Sequence, residues 1–169
     1  MKKTAFTLFE LVLVIIIIGV VYSLVLGKIN PQKNIHVQKL ENLKEAVSKN
    51  TSGNIEVIVY DKCSKVLLRG SSKKIDAKIF QDIKVYTVKN KTLEDKEFSP
   101  IMIKDRSYDV CLRFKVFENK SSSTFIIKKD DKFIVFFPYF KKAKIFKEED
   151  KAIEAYTEEK IQKEYHDEI

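Results

Sequence analysis

Glycine and proline are scarce here, four and three among 169 residues. That excludes a collagen-like or low-complexity disordered chain. Four scattered glycines also cannot build a phosphate-cradling loop. Histidine is rarer still. His36 and His166 lie far apart, and neither has a cysteine or carboxylate at metal-ligand spacing, so no zinc site is expected. No nucleophile-elbow pattern occurs. The acidic runs Asp130-Asp131 and Glu148-Glu149-Asp150 read as solvated turns and helix starts rather than calcium loops. Neither catalysis, a metal nor a cofactor is expected.

Lysine and arginine, abundant elsewhere, are missing between Lys3 and Lys28. That gap holds the dominant feature of the chain, an apolar run from Phe6 to Leu26 broken only by Glu10, Gly19, Tyr22, Ser23 and the small Thr7. Its 21 residues rise about 30 Å as a helix, enough to cross the hydrocarbon core of a bilayer. Val12, Val14 and Ile15 to Ile18 are β-branched, but a lone segment in lipid satisfies its backbone only as a helix. A secretory signal peptide would have a shorter core and an Ala-x-Ala-like site, and Val25-Leu26-Gly27 is a poor one.

Glu10 is the anomaly. An intramembrane carboxylate costs roughly a few kcal/mol to insert and ordinarily has a partner. The span supplies no cation for it. Cleavage between Ala5 and Phe6 would create an α-amine four residues ahead of the carboxylate, able to pair with Glu10 of a neighbouring copy.

Lys2-Lys3-Thr4-Ala5, Phe6-Thr7-Leu8-Phe9-Glu10 and the long apolar run containing Gly19 resemble, in fixed register, the leader and N-terminus of type IV pilins and type II secretion pseudopilins. The resemblance covers about the first thirty residues. It implies that a prepilin peptidase cuts between Ala5 and Phe6 and that Phe6 becomes N-methylated. It also implies that Glu10 aids assembly by meeting the amine of an adjacent subunit, with Gly19 a weak point of the helix. Other pilin or pseudopilin subunits, the inner-membrane assembly platform and the membrane itself are the implied partners. Two positions depart from the family pattern: Ala5 stands where glycine is commoner, and Gly27 where many pilins carry proline. Pro31 follows four residues later.

The segments are then a leader (1–5), a transmembrane helix (6–27), its amphipathic continuation (28–50), a β-rich periplasmic domain (54–147) and an acidic C-terminal helix (148–169). The fold class expected is α+β, a long N-terminal helix packed on a small antiparallel sheet. Lys2 and Lys3 keep the N-terminus cytoplasmic, which places a single-pass protein in a bacterial inner membrane with its C-terminal part outside. Cys63 and Cys111 would there meet an oxidising compartment and are a possible disulfide pair.

In the continuation helix Val37, Leu40, Leu43 and Val47 form one stripe, while Lys33, Lys39, Glu41, Lys44, Glu45 and Lys49 form polar faces. Pro31 is expected to kink or restart it. Strands are expected over 54–60 and 65–69 as a hairpin, 83–88, 108–117, and a second hairpin of 124–128 with 133–137. Tyr108, Val110, Leu112, Phe114 and Val116 should face one side of their strand and Asp109, Cys111, Arg113 and Lys115 the other. Phe133 to Phe137 lacks alternation, so both its faces should be covered. Residues 73–82 fit either a short helix or a strand, and 89–100 read as a polar loop. The terminal helix has only a thin apolar face and is expected to dock weakly.

The net charge of +8 is uneven. From Glu148 to Ile169 nine acidic residues oppose three basic ones, a charge of −6 that leaves +14 on the rest. Without Lys2 and Lys3 the body to Lys147 keeps +12. Scattered lysines read first as a solvated surface. A basic body with an acidic end also suits attraction between unlike faces of neighbouring subunits, or, as an alternative function, DNA capture by a minor pilin in a competence system. A plain anchored sensor or adhesin would differ from both in keeping its leader.

Overall fold

The structure, a computed structural model, describes residues 7–27, 34–139 and 141–167, with side chains described to Tyr22 in the first stretch and Glu158 in the last. The expected leader, Phe6 and Pro31 lie outside the described residues. The chain divides into two units, Met1–Lys33 and Asn34–Ile169.

The first unit holds α1 (Leu8–Gly27), a 20-residue helix with Glu10 in its first turn. Among the described residues no helix is long and apolar enough to cross a membrane.

The second unit is α+β with antiparallel sheets. The expected helical continuation through Asn50 is not what forms. Residues 34–39 are not helical, a 3-10 turn spans Leu40–Asn42, and only Leu43–Asn50 is the helix α2. The cause is local. Ile35 donates its amide to the Lys74 carbonyl at 2.8 Å and bridges Ile75 in parallel. Ile35 and Val37 are buried with His36 exposed between them, the period-two burial of extended chain. The apolar stripe nonetheless reaches the core, with Val37, Leu40, Leu43 and Val47 all buried.

The strands are β1 (Ile55–Tyr60), β2 (Lys65–Arg69), β3 (Lys84–Lys89), β4 (Thr92–Asp95), β5 (Ile101–Ile103), β6 (Arg106–Tyr108), β7 (Val110–Val116), β8 (Phe125–Lys129), β9 (Lys132–Phe136) and β10 (Lys144–Phe146). They form a three-stranded sheet β2-β1-β7, a five-stranded sheet β10-β9-β8-β3-β4 and the isolated hairpin β5-β6. Residues 73–82 resolve into a bridge at Ile75 and a 3-10 turn over Ala77–Phe80, capped by the Asp76 carboxylate, which accepts from the Lys78 amide. The expected loop at 89–100 is partly wrong. It contains β4, which turns back on β3 through Asn90 and Lys91, both with positive φ. Tyr108 belongs to β6 rather than to the long strand.

Two cores follow from strand alternation. In β8 and β9, Phe125, Ile127, Ile134 and Phe136 enter one core, and Ile126, Phe133, Val135 and Phe137 the other. The unbroken apolar run is thus covered on both faces. The first core takes the inward residues of both sheets together with Leu43 and Val47 of α2. Its aromatic centre is Phe114, Phe125 and Phe136, with ring centroids 5.3–5.4 Å apart, spacing that adds to area burial. The second core is closed by α3 (Glu149–Asp167) through Ala152 and Tyr156, and Ile153 of the same helix is also buried. The Tyr156 hydroxyl lies 3.3 Å from that of Thr87. The expectation of a weakly docked helix is therefore corrected for its first two turns. Small Ala152 lets the helix approach closely, an advantage that a count of large apolar residues omits.

Candidate assembly site

Thr7 and Glu10 stand three apart at the head of α1. The Thr7 amide donates to Glu10 Oε2 at 2.9 Å and its hydroxyl to the same oxygen at 3.0 Å. In return the Glu10 amide donates to Thr7 Oγ1 at 3.3 Å. This is a capping box, in which two otherwise orphaned backbone donors of the first turn are satisfied reciprocally. The Thr-x-x-Glu spacing is legible in Thr7-Leu8-Phe9-Glu10, a signal that the search for a cationic partner passes over. The carboxylate has an intrachain partner, though not a cationic one.

Beyond this box α1 is apolar on every side. Each large apolar side chain from Leu8 to Tyr22 is exposed, from 43% for Val12 to 81% for Leu8. A helix apolar all round needs lipid or other helices about it. An added Cβ at Gly19 would meet no heavy atom within 4 Å, so nothing in the unit itself demands glycine there. Ala5 and Phe6, the expected processing residues, lie outside the described residues.

In the second unit Cys63 and Cys111 are disulfide-bonded, with Cα atoms 5.7 Å apart. Asp61, Lys62 and Cys63 all take positive φ in the β1–β2 turn, which curls the turn back over β7. There the pairing slips, Val59 opposing Leu112 and Tyr60 opposing Val110. Cys111 is the extra residue of that bulge. Asp61 and Lys65 close the same turn by a 2.8 Å ion pair, and that partner raises the Lys65 ammonium above its ordinary pKa.

Charge concentrates at two further places. Glu56, on the face of β1 away from the first core, has Arg69 at 3.3 Å and Arg113 and Lys115 at 3.9 Å. Register explains the grouping, because Glu56 pairs with Arg69 on one side and Lys115 on the other. Lys44 departs from the sequence expectation. Rather than joining a polar face it is buried, and its Nζ donates to the carbonyls of Phe137 at 3.0 Å, Tyr139, and Lys141 at 3.3 Å. Ser122 Oγ donates to the same Phe137 oxygen at 3.1 Å. Backbone carbonyls thus solvate the buried ammonium.

Among the described residues no group of three or more His, Cys, Asp or Glu is placed to hold a metal. No protein-family model, curated protein or solved structure matches the chain.

Proposed function

We propose that this chain is a pilin-like structural subunit, cut before Phe6 by a prepilin peptidase, N-methylated there, and built into a type II secretion pseudopilus or type IV pilus-like filament. One observation carries the reading: a helix apolar on all sides, with every described large apolar side chain exposed, bears a single carboxylate in its first turn. Burial in lipid, and later among identical helices, removes that surface from water. At 20 residues α1 rises about 30 Å, the thickness of a hydrocarbon core, and the membrane-spanning role belongs to this proposal.

Thr7 gives Glu10 two roles. In the isolated subunit the carboxylate caps its own helix. In a filament it accepts the Phe6 amine of a neighbour while the hydroxyl of Thr7 keeps it oriented. The α+β unit then stands outside the inner membrane, where its disulfide is chemically stable.

Mass spectrometry of the N-terminus from membranes of the native host tests the reading. A mature chain beginning at monomethylated Phe6 is expected. A chain beginning at Met1 in assembled material overturns the reading and favours a plain anchored protein.

A further inference from the structure

A cleft of about 390 Å³ runs beside α2, lined by Lys49, Lys120 and Lys142 with Lys44 and Lys141, against only two acids, Glu41 and Glu45. Glu45 is already engaged by Lys142 at 3.4 Å and Lys49 at 4.0 Å. Among the described residues Lys49, Lys120 and Lys142 are exposed there, so the cleft offers accessible ammonium groups.

The opposite charge lies on α3. Glu148, Glu149, Asp150, Glu154 and Glu158 are all exposed, with Lys151 their one basic companion in that stretch. Among the described residues the two features pack on different cores. α2 packs through Leu43 and Val47 into the first core, whereas α3 packs through Ala152 and Tyr156 into the second. β8 and β9 separate those cores. Lys144 pairs with Val135 and Phe146 with Phe133, so residues 142 and 148 also stand toward opposite ends of β9.

We propose that the basic cleft beside α2 receives the acidic outer face of α3 from a second copy of this chain. Unlike patches on opposite sides of one subunit make a heterologous contact. Repeated, such a contact propagates in one direction instead of closing as a two-fold dimer does. Charge complementarity selects the carboxylates of α3, because Asp150, Glu154 and Glu158 recur every four residues on an exposed helix surface. The inference deepens the filament reading by naming the contact between soluble parts, and it rests on that reading for its setting.

The test uses the full chain in detergent at low salt, with a zero-length carbodiimide that joins carboxylates to lysines in contact. Isopeptide bonds between Lys120 or Lys142 of one copy and Glu149, Glu154 or Glu158 of another are expected. Yield should fall about tenfold in K120E/K142E and in E149K/E154K taken separately. Mixing those two variants should restore linkage, since each then meets its opposite charge. A folding defect would not be rescued by mixing. Cross-links confined to other surfaces, or no recovery on mixing, overturn the proposal. It is equally overturned if the expected bonds are missing and the wild type holds a short DNA duplex that K120E/K142E releases. An uncut N-terminus with these bonds present defeats only the filament reading. A processed N-terminus without them defeats only this contact.

Discussion

Thr7 and Glu10 grip each other through three hydrogen bonds of 2.9, 3.0 and 3.3 Å at the start of α1. Their partnership lets the charge of the carboxylate be separated from its service to the helix. Glutamine closes a capping box as glutamate does. Glu10→Gln should therefore leave α1 and membrane insertion intact while impairing incorporation into filaments. Thr7→Val removes the cap but keeps the charge, and should cost about 1 kcal/mol of helix stability. Comparing membrane-fraction and filament-fraction yields of both variants checks this. Normal assembly of the glutamine variant would remove the charge from the mechanism.

Lys44 makes a second prediction. Its ammonium serves the carbonyls of Phe137, Tyr139 and Lys141. Lys44→Met matches the length of the stem and deletes the donor, leaving those oxygens short of a partner. A loss of about 2 kcal/mol in unfolding free energy is expected, read from urea midpoints. An unchanged midpoint would mean that water serves those carbonyls as well.

The disulfide spans 48 residues. In the chain-entropy account a loop of that size stabilises by about 4 kcal/mol. Cys63→Ser with Cys111→Ser should lower the melting temperature markedly, and reductant should do the same to the wild type and nothing to the double variant. The circular-dichroism melts of wild type and double variant, each with and without reductant, give the answer.

Lys96 supplies a pH dependence. Burial lowers its pKa below the ordinary lysine value of 10.5. Between the lowered folded value and 10.5 the unfolded chain binds more protons than the folded one, so this group's contribution to stability rises with pH across that window. Lys96→Gln should be favoured relative to wild type near pH 8, less the cation–π contacts of Lys96 with Phe98 and Phe125, each 5.8 Å from Nζ. That relative advantage should shrink as pH approaches 10.5. Paired urea titrations at pH 8 and pH 10 measure the difference, and a gap that widens with pH would contradict the sign.

Legibility in the sequence followed signal strength. The two hairpins β1–β2 and β8–β9 were readable because apolar alternation, or its conspicuous failure from Phe133 to Phe137, coincided with polar turns. β4 was not readable. Its residues Thr92–Asp95 are mostly exposed and carry no period, and its turn residue Lys91 advertises nothing. Nor was the 34–39 stretch, where Val37 and Leu40 fit a helical stripe while Ile35 obeys a bridge to Ile75, forty residues away. The N-terminal register was plain, but its cap was overlooked because charge was weighed before hydrogen bonding. The cradle of Lys44 depends on carbonyls nearly a hundred residues downstream, a relation that no local pattern encodes.

The partition made by β8 and β9 has a further consequence. α3 rests on a layer whose far side is sealed by α2 and the three-stranded sheet. Opening at α3 would therefore expose the second core while leaving the Phe114, Phe125 and Phe136 cluster covered. Sub-global opening of this kind lies low on the ladder of exchange free energies. Amide protons of α3 are expected to exchange with solvent before those of β1, because the two cores lie on opposite faces of β8 and β9.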